Sequence, residues 1–456
     1  MEKRLPGILV HSYGFSSFTF NLMMFIALNY YAFFLTEVAL ISAVHMGIIM
    51  AITHAVDAVS VPLSGSIIQR SQFRWGQFRS WLLLPPISTC IFFTLTFTNL
   101  PLDYNFKMIY LALAYMIGHV SLNFAFNGHL GLISVLAKDV SNRLRLSSRN
   151  TQYGMASQVI FSLAVIPILL YFRKLYGDSL GFFYTVLIMG IIQVLGYWNL
   201  FSQTKDYDKY DPDKKLSPSN KLSVPEMIYQ VFGNRALLLI MVGDCALNLA
   251  MFSLSTFAPY YFKYVTGDEA WMSPYTLVLG IASFVSAVIG PIAATWIGKK
   301  KTYLLAGLYG VIGYIILRFF GASSPYLYIT IVCIATLGAG ISFPIRHAMY
   351  MDTAEYSFYK TGKDASAFIV SMFTLPVKIG IFLATTIAGF GLSLIGYEAG
   401  MTATEEFINN LMNIICFIPV GCYVIAILVM VFYSLTDDKL SMYMEANTRK
   451  RAEAKA

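Results

Sequence analysis

The sequence predicts an all-α membrane protein with twelve transmembrane helices. Of its 456 residues, 57% are hydrophobic and 12% are charged, whereas a soluble protein carries about 25% charged residues. The apolar residues form runs of about 20 residues, which is the length of a helix that crosses a bilayer. The breaks between the runs carry clusters of Lys and Arg, which hydrocarbon cannot solvate and which therefore mark the membrane faces.

The apolar runs give the predicted spans in order. The first six lie near residues 12–36, 42–67, 80–99, 107–136, 151–172 and 179–202. The second six lie near residues 233–262, 271–297, 302–320, 325–350, 365–396 and 409–434. The predicted domains are an N-terminal six-helix bundle over 1–202, a charged cytoplasmic linker over 203–230, a C-terminal six-helix bundle over 231–436 and a cytoplasmic tail over 437–456.

Lys and Arg in the short loops predict the orientation, since translocated loops are poor in both. One set of loops is basic and contains Arg70, Arg74, Arg79, Lys138, Arg143, Arg145, Arg149, Lys299, Lys300, Lys301, Lys360 and Lys363. The other set is poorer and holds Lys107, Arg173, Lys174 and Lys263. The linker and both termini share the basic side, so both termini are expected in the cytoplasm and the chain in the inner cell membrane. The net charge of +8 follows from this bias and does not indicate a nucleic-acid partner. Two six-helix halves with cytoplasmic ends are the arrangement of the major facilitator fold.

Short motifs in both halves carry a family resemblance. In the first half they are Tyr13-Gly14-Phe15, Asp57-Ala58 with Pro62 and Gly65, and Arg74-Trp75-Gly76 with Phe78-Arg79. In the second half they are Tyr260-Tyr261-Phe262, Gly267-Asp268, Asp352 with Tyr356, and Lys378 with Gly380. Over residues 10–436 the chain resembles the melibiose-carrier-like glycoside-pentoside-hexuronide symporters of the major facilitator superfamily. The resemblance implies a secondary transporter that moves a sugar, a glycoside or a related solute together with a cation by alternating access.

Asp57 is the predicted coupling residue. A carboxylate in the middle of a span is costly unless it is protonated, paired or hydrated, and it usually marks an ion or proton pathway. The resemblance places Asp57 at the first of two acids of a cation site, but the second acid is replaced by Val61, and Ser60 stands where the family often has Asn. Loss of that acid argues against Na⁺, and desolvation favours the neutral form of an acid, which suits reversible protonation. The alternative is that Asp57 merely pairs with a neighbouring helix.

The positions that bind sugar in the family are altered. The acid of the first helix aligns with Asn21, and the acid of the fourth helix aligns with Asn127 once one residue is gapped, or with Phe126 if it is not. The family's fourth-helix tryptophan is Gly131, and the arginine that opens the fifth helix falls near Thr151, with Arg149 half a turn away. Asn21, Asn127 and Arg149 are therefore candidate substrate-binding residues that lack the charge of the family's acids.

Three charged residues of the second half are further candidates for substrate binding. Asp244 and Arg346 stand where the family is usually uncharged, and Lys378 coincides with a family lysine. The guanidinium of Arg346 matches a carboxylate, sulfonate or phosphate, which would favour an anionic solute. Asp244 and Arg346 could instead form a structural pair, or Arg346 could extend to the membrane face. Lys378 needs a partner such as Asp57 or a substrate anion, because an unpaired ammonium in a span is costly.

Gate residues follow from the basic loops. Arg74, Trp75 and Arg79 are expected to close the cytoplasmic side of the first bundle, and Asp352 is expected to play the corresponding part in the second.

Four histidines within spans share no motif and are expected to be packing residues. They are His45, His54, His119 and His129. The one to test is His129, because it stands beside Asn127.

The sequence leaves three functions open. The first is a symporter for a sugar derivative or another polar organic solute, coupled to H⁺ through Asp57 rather than to Na⁺. The second is an uncoupled facilitator or exporter of an anionic or amphipathic compound, which Val61 and Asn21 favour, and the third is a non-transporting receptor. The sequence contains no glycine-rich phosphate loop, nucleophile motif or metal-ligand spacing, so neither an enzyme nor a cofactor or metal site is expected.

Overall fold

A computed structural model describes residues 4–71, 73–137, 140–209, 229–362 and 366–453. Within these ranges the regular structure is helical, apart from one isolated bridge between Phe73 and Gly76. Most of the predicted 203–230 linker, residues 210–228, lies outside the described residues, as do Lys138 and Lys363. The all-α prediction is confirmed.

The predicted spans correspond to twelve helices in the described ranges. In the first half they are α1 (Gly7–Val38), α2 (Ala43–Arg70), α3 (Leu84–Thr96), α4 (Tyr104–Leu136), α5 (Ser141–Tyr176) and α6 (Asp178–Gln203). In the second half they are α7 (Arg235–Tyr264), α8 (Glu269–Ile297), α9 (Lys299–Phe320), α10 (Pro325–Thr361), α11 (Phe368–Leu394) and α12 (Glu405–Val431). A tail helix, α13 (Asp437–Glu453), follows.

Among the described residues, eleven of these helices are long and apolar enough to cross a membrane. The remaining one, α3, has 13 residues and is shorter than predicted. A 3₁₀ turn over Arg79–Leu82 leads into it. The turn and the helix together extend roughly 28 Å, close to the thickness of the hydrocarbon core.

Within unit 1, we call the face of the loops α2–α3 and α4–α5 the basic face, and the other the opposite face. At the opposite face, α1 ends in a π-helical turn over Phe34–Val38, followed by Leu40 at a φ of 57°. A π turn inserts an extra residue into the helical repeat and so changes the direction of the side chains around it. This turn carries Glu37.

The chain divides into two compact units. Unit 1 comprises Met1–Ser217, Ala258–Gly280 and Thr385–Thr402, and unit 2 comprises Pro218–Phe257, Ile281–Ala384 and Ala403–Ala456. Within unit 1, α1 packs on α5 and α6, α2 packs on α4, and α3 packs on α4 and α6. Within unit 2, α9 packs on α10 and α12, and the tail helix α13 packs on α10.

Candidate functional site

Asp57 lies in the middle of α2 and is hydrogen-bonded to α4. Its side chain is 3% exposed. Asn123 on α4 donates its amide hydrogens to Asp57 Oδ1 at 2.6 Å and to Ser60 Oγ at 2.6 Å, while the Ser60 hydroxyl donates to the Asp57 carbonyl at 2.9 Å. The neutral Asn123 amide thus holds the carboxylate within the helix pair.

One of the four histidines, His119, lies beside this carboxylate, and a second, His54, packs against His119. His119 Nδ1 is 3.7 Å from Asp57 Oδ1, and the His119 ring is 6.1 Å from the ring of His54. Both imidazoles are buried, and Tyr115 contacts each of them. The sequence contains the signal for this cluster: His54 and Asp57 are three residues apart and His119 and Asn123 are four apart, and both spacings place side chains on one helix face.

Asn127 lies one turn beyond Asn123 on the same interface. Its amide donates to Ser64 Oγ at 2.7 Å and to the Val61 carbonyl at 3.1 Å. The structure therefore brings the predicted residues Asp57 and Asn127 onto one α2–α4 surface. The amide nitrogen of Asn127, rather than a second acid, faces the backbone at Val61.

The other predicted residues of unit 1 lie on different helices. Asn21 on α1 donates to its own helix, at the Ser17 carbonyl, over 2.8 Å. A Cβ on Gly154 of α5 would lie 3.5 Å from the Asn21 amide nitrogen. Arg149 on α5 is exposed and donates to Gln152 Oε1 at 2.8 Å. Arg149 is therefore a guanidinium with open surface around it.

His129 has a different environment from the two histidines near Asp57. It is 1% exposed, and its ring stacks on Tyr13 with centroids 4.0 Å apart. Its nitrogens lie 2.9 Å from Ser16 Oγ and 3.2 Å from Asn150 Oδ1. These contacts join α1, α4 and α5, as expected of a packing histidine.

Asp244 and Arg346 contact each other in unit 2. Arg346 Nη1 donates to Asp244 Oδ1 at 2.6 Å, and the two side chains are 4% and 0% exposed. Among the described residues, Asp244 Oδ2 and Arg346 Nε have no hydrogen-bond partner. The pair is neutral as a whole, so Arg346 is not an isolated cation. Lys378 on α11 is half-buried in the same unit.

Asp208 organises the α2–α3 loop on the basic face. Its carboxylate accepts hydrogen bonds from the backbone N–H groups of Phe78 at 2.7 Å, Arg79 at 2.8 Å and Gln77 at 3.2 Å. Gly76 has a φ of +110°, and a Cβ there would lie 2.3 Å from the Asp208 carbonyl oxygen, so the position requires glycine. The first residues after α6 are thus attached to the loop. Sequence reasoning assigned Asp208 only to the linker.

One of the three predicted gate residues of unit 1, Arg79, is buried. Arg79 is 7% exposed, donates from Nε to the Phe201 carbonyl at 2.6 Å and covers the Phe201 ring at 3.7 Å. Burial lowers the pKa of the Arg79 guanidinium, and the neighbouring Asp208 opposes that shift. Arg74 and Trp75 are exposed, with the guanidinium 4.3 Å from the indole ring. In unit 2, Asp352 forms an ion pair with Lys299 of α9.

A second cluster, at the opposite face, surrounds Glu37. Its side chain is 2% exposed and accepts hydrogen bonds from Lys263 Nζ at 2.5 Å, from the Tyr397 hydroxyl at 2.5 Å and from the Tyr264 hydroxyl. Burial, together with the neighbouring Tyr260 and Glu37, raises the pKa of Tyr397 well above its usual value. Tyr397 therefore stays protonated and donates. Sequence reasoning used Glu37 only as evidence of orientation.

The whole-chain comparison decides the family. Residues 12–437 match the family described as MFS/sugar transport protein. The chain belongs to this family. It is accordingly a multi-pass membrane transporter of the major facilitator superfamily and not an enzyme, and the predicted family and fold class are confirmed.

Relatives within this family cover nearly the whole chain. The glucuronide carrier protein homolog of Escherichia coli (strain K12) is 25% identical over 96% of this chain and 94% of its own length. The isoprimeverose transporter of Lactiplantibacillus pentosus is 27% identical over 96% and 91%. A putative sulfoquinovose importer of Salmonella typhimurium is 25% identical over 96% and 92%. The crystal structure of the nucleoside transporter NupG superposes with a TM-score of 0.66 at 12% identity, over 94% of this chain and 100% of that chain.

Proposed function

We propose that this MFS/sugar transport protein is a secondary transporter that carries a sugar derivative by alternating access, driven by a proton gradient through Asp57. The observation that carries the proposal is the buried carboxylate in the middle of α2, held by the Asn123 amide beside His119. A carboxylate at membrane depth is maintained where it serves an ion or proton pathway. We place the protein in the inner cell membrane with both termini in the cytoplasm, on the distribution of Lys and Arg.

The donors around Asp57 favour a proton over Na⁺. A hard cation such as Na⁺ needs several oxygen ligands, whereas a proton needs one lone pair. Asn123 presents its amide nitrogen to Asp57, and Asn127 presents its amide nitrogen to the backbone at Val61. The position of the family's second acid is Val61, whose side chain supplies no oxygen ligand to this face of α2.

The proposed solute is a sugar derivative that carries an acidic group. Two relatives are described as a glucuronide carrier protein homolog and a putative sulfoquinovose importer, and both solutes combine sugar hydroxyls with a carboxylate or sulfonate. We assign recognition of the anion to Arg149, because Arg346 is already paired with Asp244, and Lys378 stays a candidate from the sequence. Asn21 and Asn127 are assigned to the sugar hydroxyls. Arg74, Trp75, Arg79 and Asp352 are assigned to the gates.

The test begins with ligand identification. Purified protein is heated with methyl glucuronide, sulfoquinovose and isoprimeverose, at mildly acidic and mildly alkaline pH, with and without Na⁺. A ligand that binds the folded state stabilises it by mass action. Stabilisation that responds to pH and not to Na⁺ is the expected result.

The second step measures coupling in proteoliposomes. Asp57→Asn should abolish accumulation against a gradient while leaving counterflow exchange within about twofold of the parent, because exchange needs no net proton movement. Asp206→Asn is the matched control, since it makes the same change at an exposed side chain. Accumulation by Asp57→Asn equal to that of the parent would make Asp57 structural. Gradient-independent flux in the parent would favour the facilitator or exporter.

A further inference from the structure

A row of titratable side chains extends from Asp57 toward the opposite face. Both α2 and α4 begin at that face, and His54 lies one turn nearer to it than Asp57. On α4, Tyr115 and His119 pack against His54 with ring centroids 5.7 and 6.1 Å away. His45 stands at the outer end of α2, where its Nδ1 is 2.7 Å from the Tyr104 hydroxyl. Nine residues of helix, about 14 Å, separate His45 from His54.

We propose that His119 and Asp57 hold the coupling proton as one site, and that His54 passes protons to it from the opposite face. This inference rests on the proposed proton coupling and adds the residues that share the proton. The 3.7 Å separation of His119 Nδ1 and Asp57 Oδ1 is short enough for a proton to pass between them with a small movement of either side chain. Asn123 restrains the carboxylate, so the movement falls to the imidazole.

Among the described residues, the titratable groups in contact at this site include His54 and Asp57 of α2 and His119 and Tyr115 of α4. Tyr31 of α1 stacks on Tyr115 at 4.2 Å, and α3 presents the apolar ring of Phe93, 5.1 Å from His119. From the sequence alone, Lys378 of α11 is expected to pair with Asp57 or with a substrate anion.

The proton balance of the step is simple. With one proton on the site, the pair is either a neutral imidazole beside a protonated carboxyl or an imidazolium beside a carboxylate. Movement of the proton from His119 Nδ1 to Asp57 Oδ1 interconverts these forms without changing the total charge. Among the described residues the second imidazole nitrogen of His119 is buried without a hydrogen-bond partner, so it is available to take up an arriving proton. Imidazole is the side chain that accepts and releases protons near neutral pH.

The first test is the ratio of protons to solute. Cells in weakly buffered medium receive radiolabelled methyl glucuronide, and the alkalinisation of the medium is recorded together with uptake. His119→Gln keeps a polar side chain but cannot carry a proton, so the ratio should fall about fivefold or more while counterflow stays within about twofold. His54→Gln should slow proton entry without abolishing it. The matched control is His129→Gln, which removes a buried histidine from the same helix and should leave the ratio unchanged.

The second test needs no solute. Infrared pH-difference spectra of the reconstituted protein contain a protonated-carboxyl band, which Asp57→Asn identifies by its loss. His119→Gln should move the pH at which this band titrates by at least about 0.8 unit toward alkaline pH, because a unit charge 3.7 Å away has that effect under water-like screening.

The outcomes separate the two proposals. A proton-to-solute ratio and a carboxyl titration in His119→Gln equal to those of the parent would overturn the shared site. Accumulation in Asp57→Asn would overturn proton coupling at Asp57, while the infrared result would still decide whether the two side chains share a proton. If His119→Gln does not fold, as judged by loss of counterflow, His119→Asn takes its place with the same expected results.

Discussion

Replacing Asp208 by alanine should destabilise unit 1. The carboxylate is 3% exposed and accepts hydrogen bonds from three consecutive backbone N–H groups, those of Gln77, Phe78 and Arg79. The Asp208→Ala variant leaves these donors without their acceptor. It also removes a carboxylate that favours the charged form of the buried Arg79 guanidinium.

The expected loss follows from the hydrogen bonds. Each bond to a charged acceptor contributes about 1.5–3 kcal/mol, and a buried donor left unsatisfied costs about 1–3 kcal/mol. The bond from Gln77 is long at 3.2 Å, and the loop lies at the membrane face, where water can replace part of the lost acceptor. A net loss of about 3 kcal/mol in the free energy of unfolding results, which lowers Tm by about 6–12 °C for a unit of this size. Asp208→Asn keeps one carbonyl acceptor and should lose about half as much.

The cysteines provide the assay. Cys90 lies in unit 1, whereas Cys245, Cys333, Cys416 and Cys422 lie in unit 2. With the latter four changed to serine, labelling of Cys90 by a thiol-reactive fluorophore during heating reports the unfolding of unit 1.

Asp206→Ala is the matched control for Asp208→Ala, because Asp206 is in the same segment with its side chain 84% exposed. Equal melting temperatures for Asp208→Ala and Asp206→Ala would refute the reasoning.

Two further substitutions test the remaining clusters. Glu37→Gln should lower the free energy of unfolding by about 2 kcal/mol, because the new amide keeps one hydrogen-bond acceptor but leaves Lys263 without its anion. Thermal denaturation measures the loss, with the exposed Glu398→Gln as the control. Identical melting curves for the two variants would contradict the prediction. Asp244→Asn should cost about 3–5 kcal/mol, because it leaves Arg346 charged and buried, and the double substitution of Asp244 and Arg346 by leucine should recover most of that stability. If the double variant is stable and still transports methyl glucuronide, the pair is structural; if it is stable and inactive, the pair serves transport.

Hydropathy and loop charge were sufficient to predict the spans. Apolar runs of about 20 residues match the hydrocarbon core of a bilayer, and each predicted run is a helix in the described ranges. The length of α3 was not predictable in the same way, because residues 79–82 form a 3₁₀ turn whose composition resembles that of an α-helix. Asp57 was identified because a single carboxylate in an apolar run has few structural uses.

The hydrogen-bond partners of Asp57 and Glu37 could not be predicted from the sequence. Histidine and asparagine are common packing residues in helices, and only the pairing of α2 with α4 shows that His119 and Asn123 meet Asp57. Glu37 depends on contacts across 226 positions to Lys263 and 360 positions to Tyr397. No local sequence pattern predicts contacts between residues so far apart in the chain. Asp208 was hidden for another reason, since it lies in a segment whose many charges are individually unremarkable.

The tail helix α13 has a practical consequence for protein engineering. Asn447 is fully buried and donates to the Glu355 carbonyl and carboxylate at 2.9 and 2.8 Å, and the Tyr443 ring lies 4.5 Å from that of Tyr359. Removing the chain after α12 would uncover the end of α10 that also carries Asp352. Affinity tags and fluorescent fusions therefore belong beyond Glu453, behind a flexible spacer, and expression trials that shorten the C terminus should stop short of this helix.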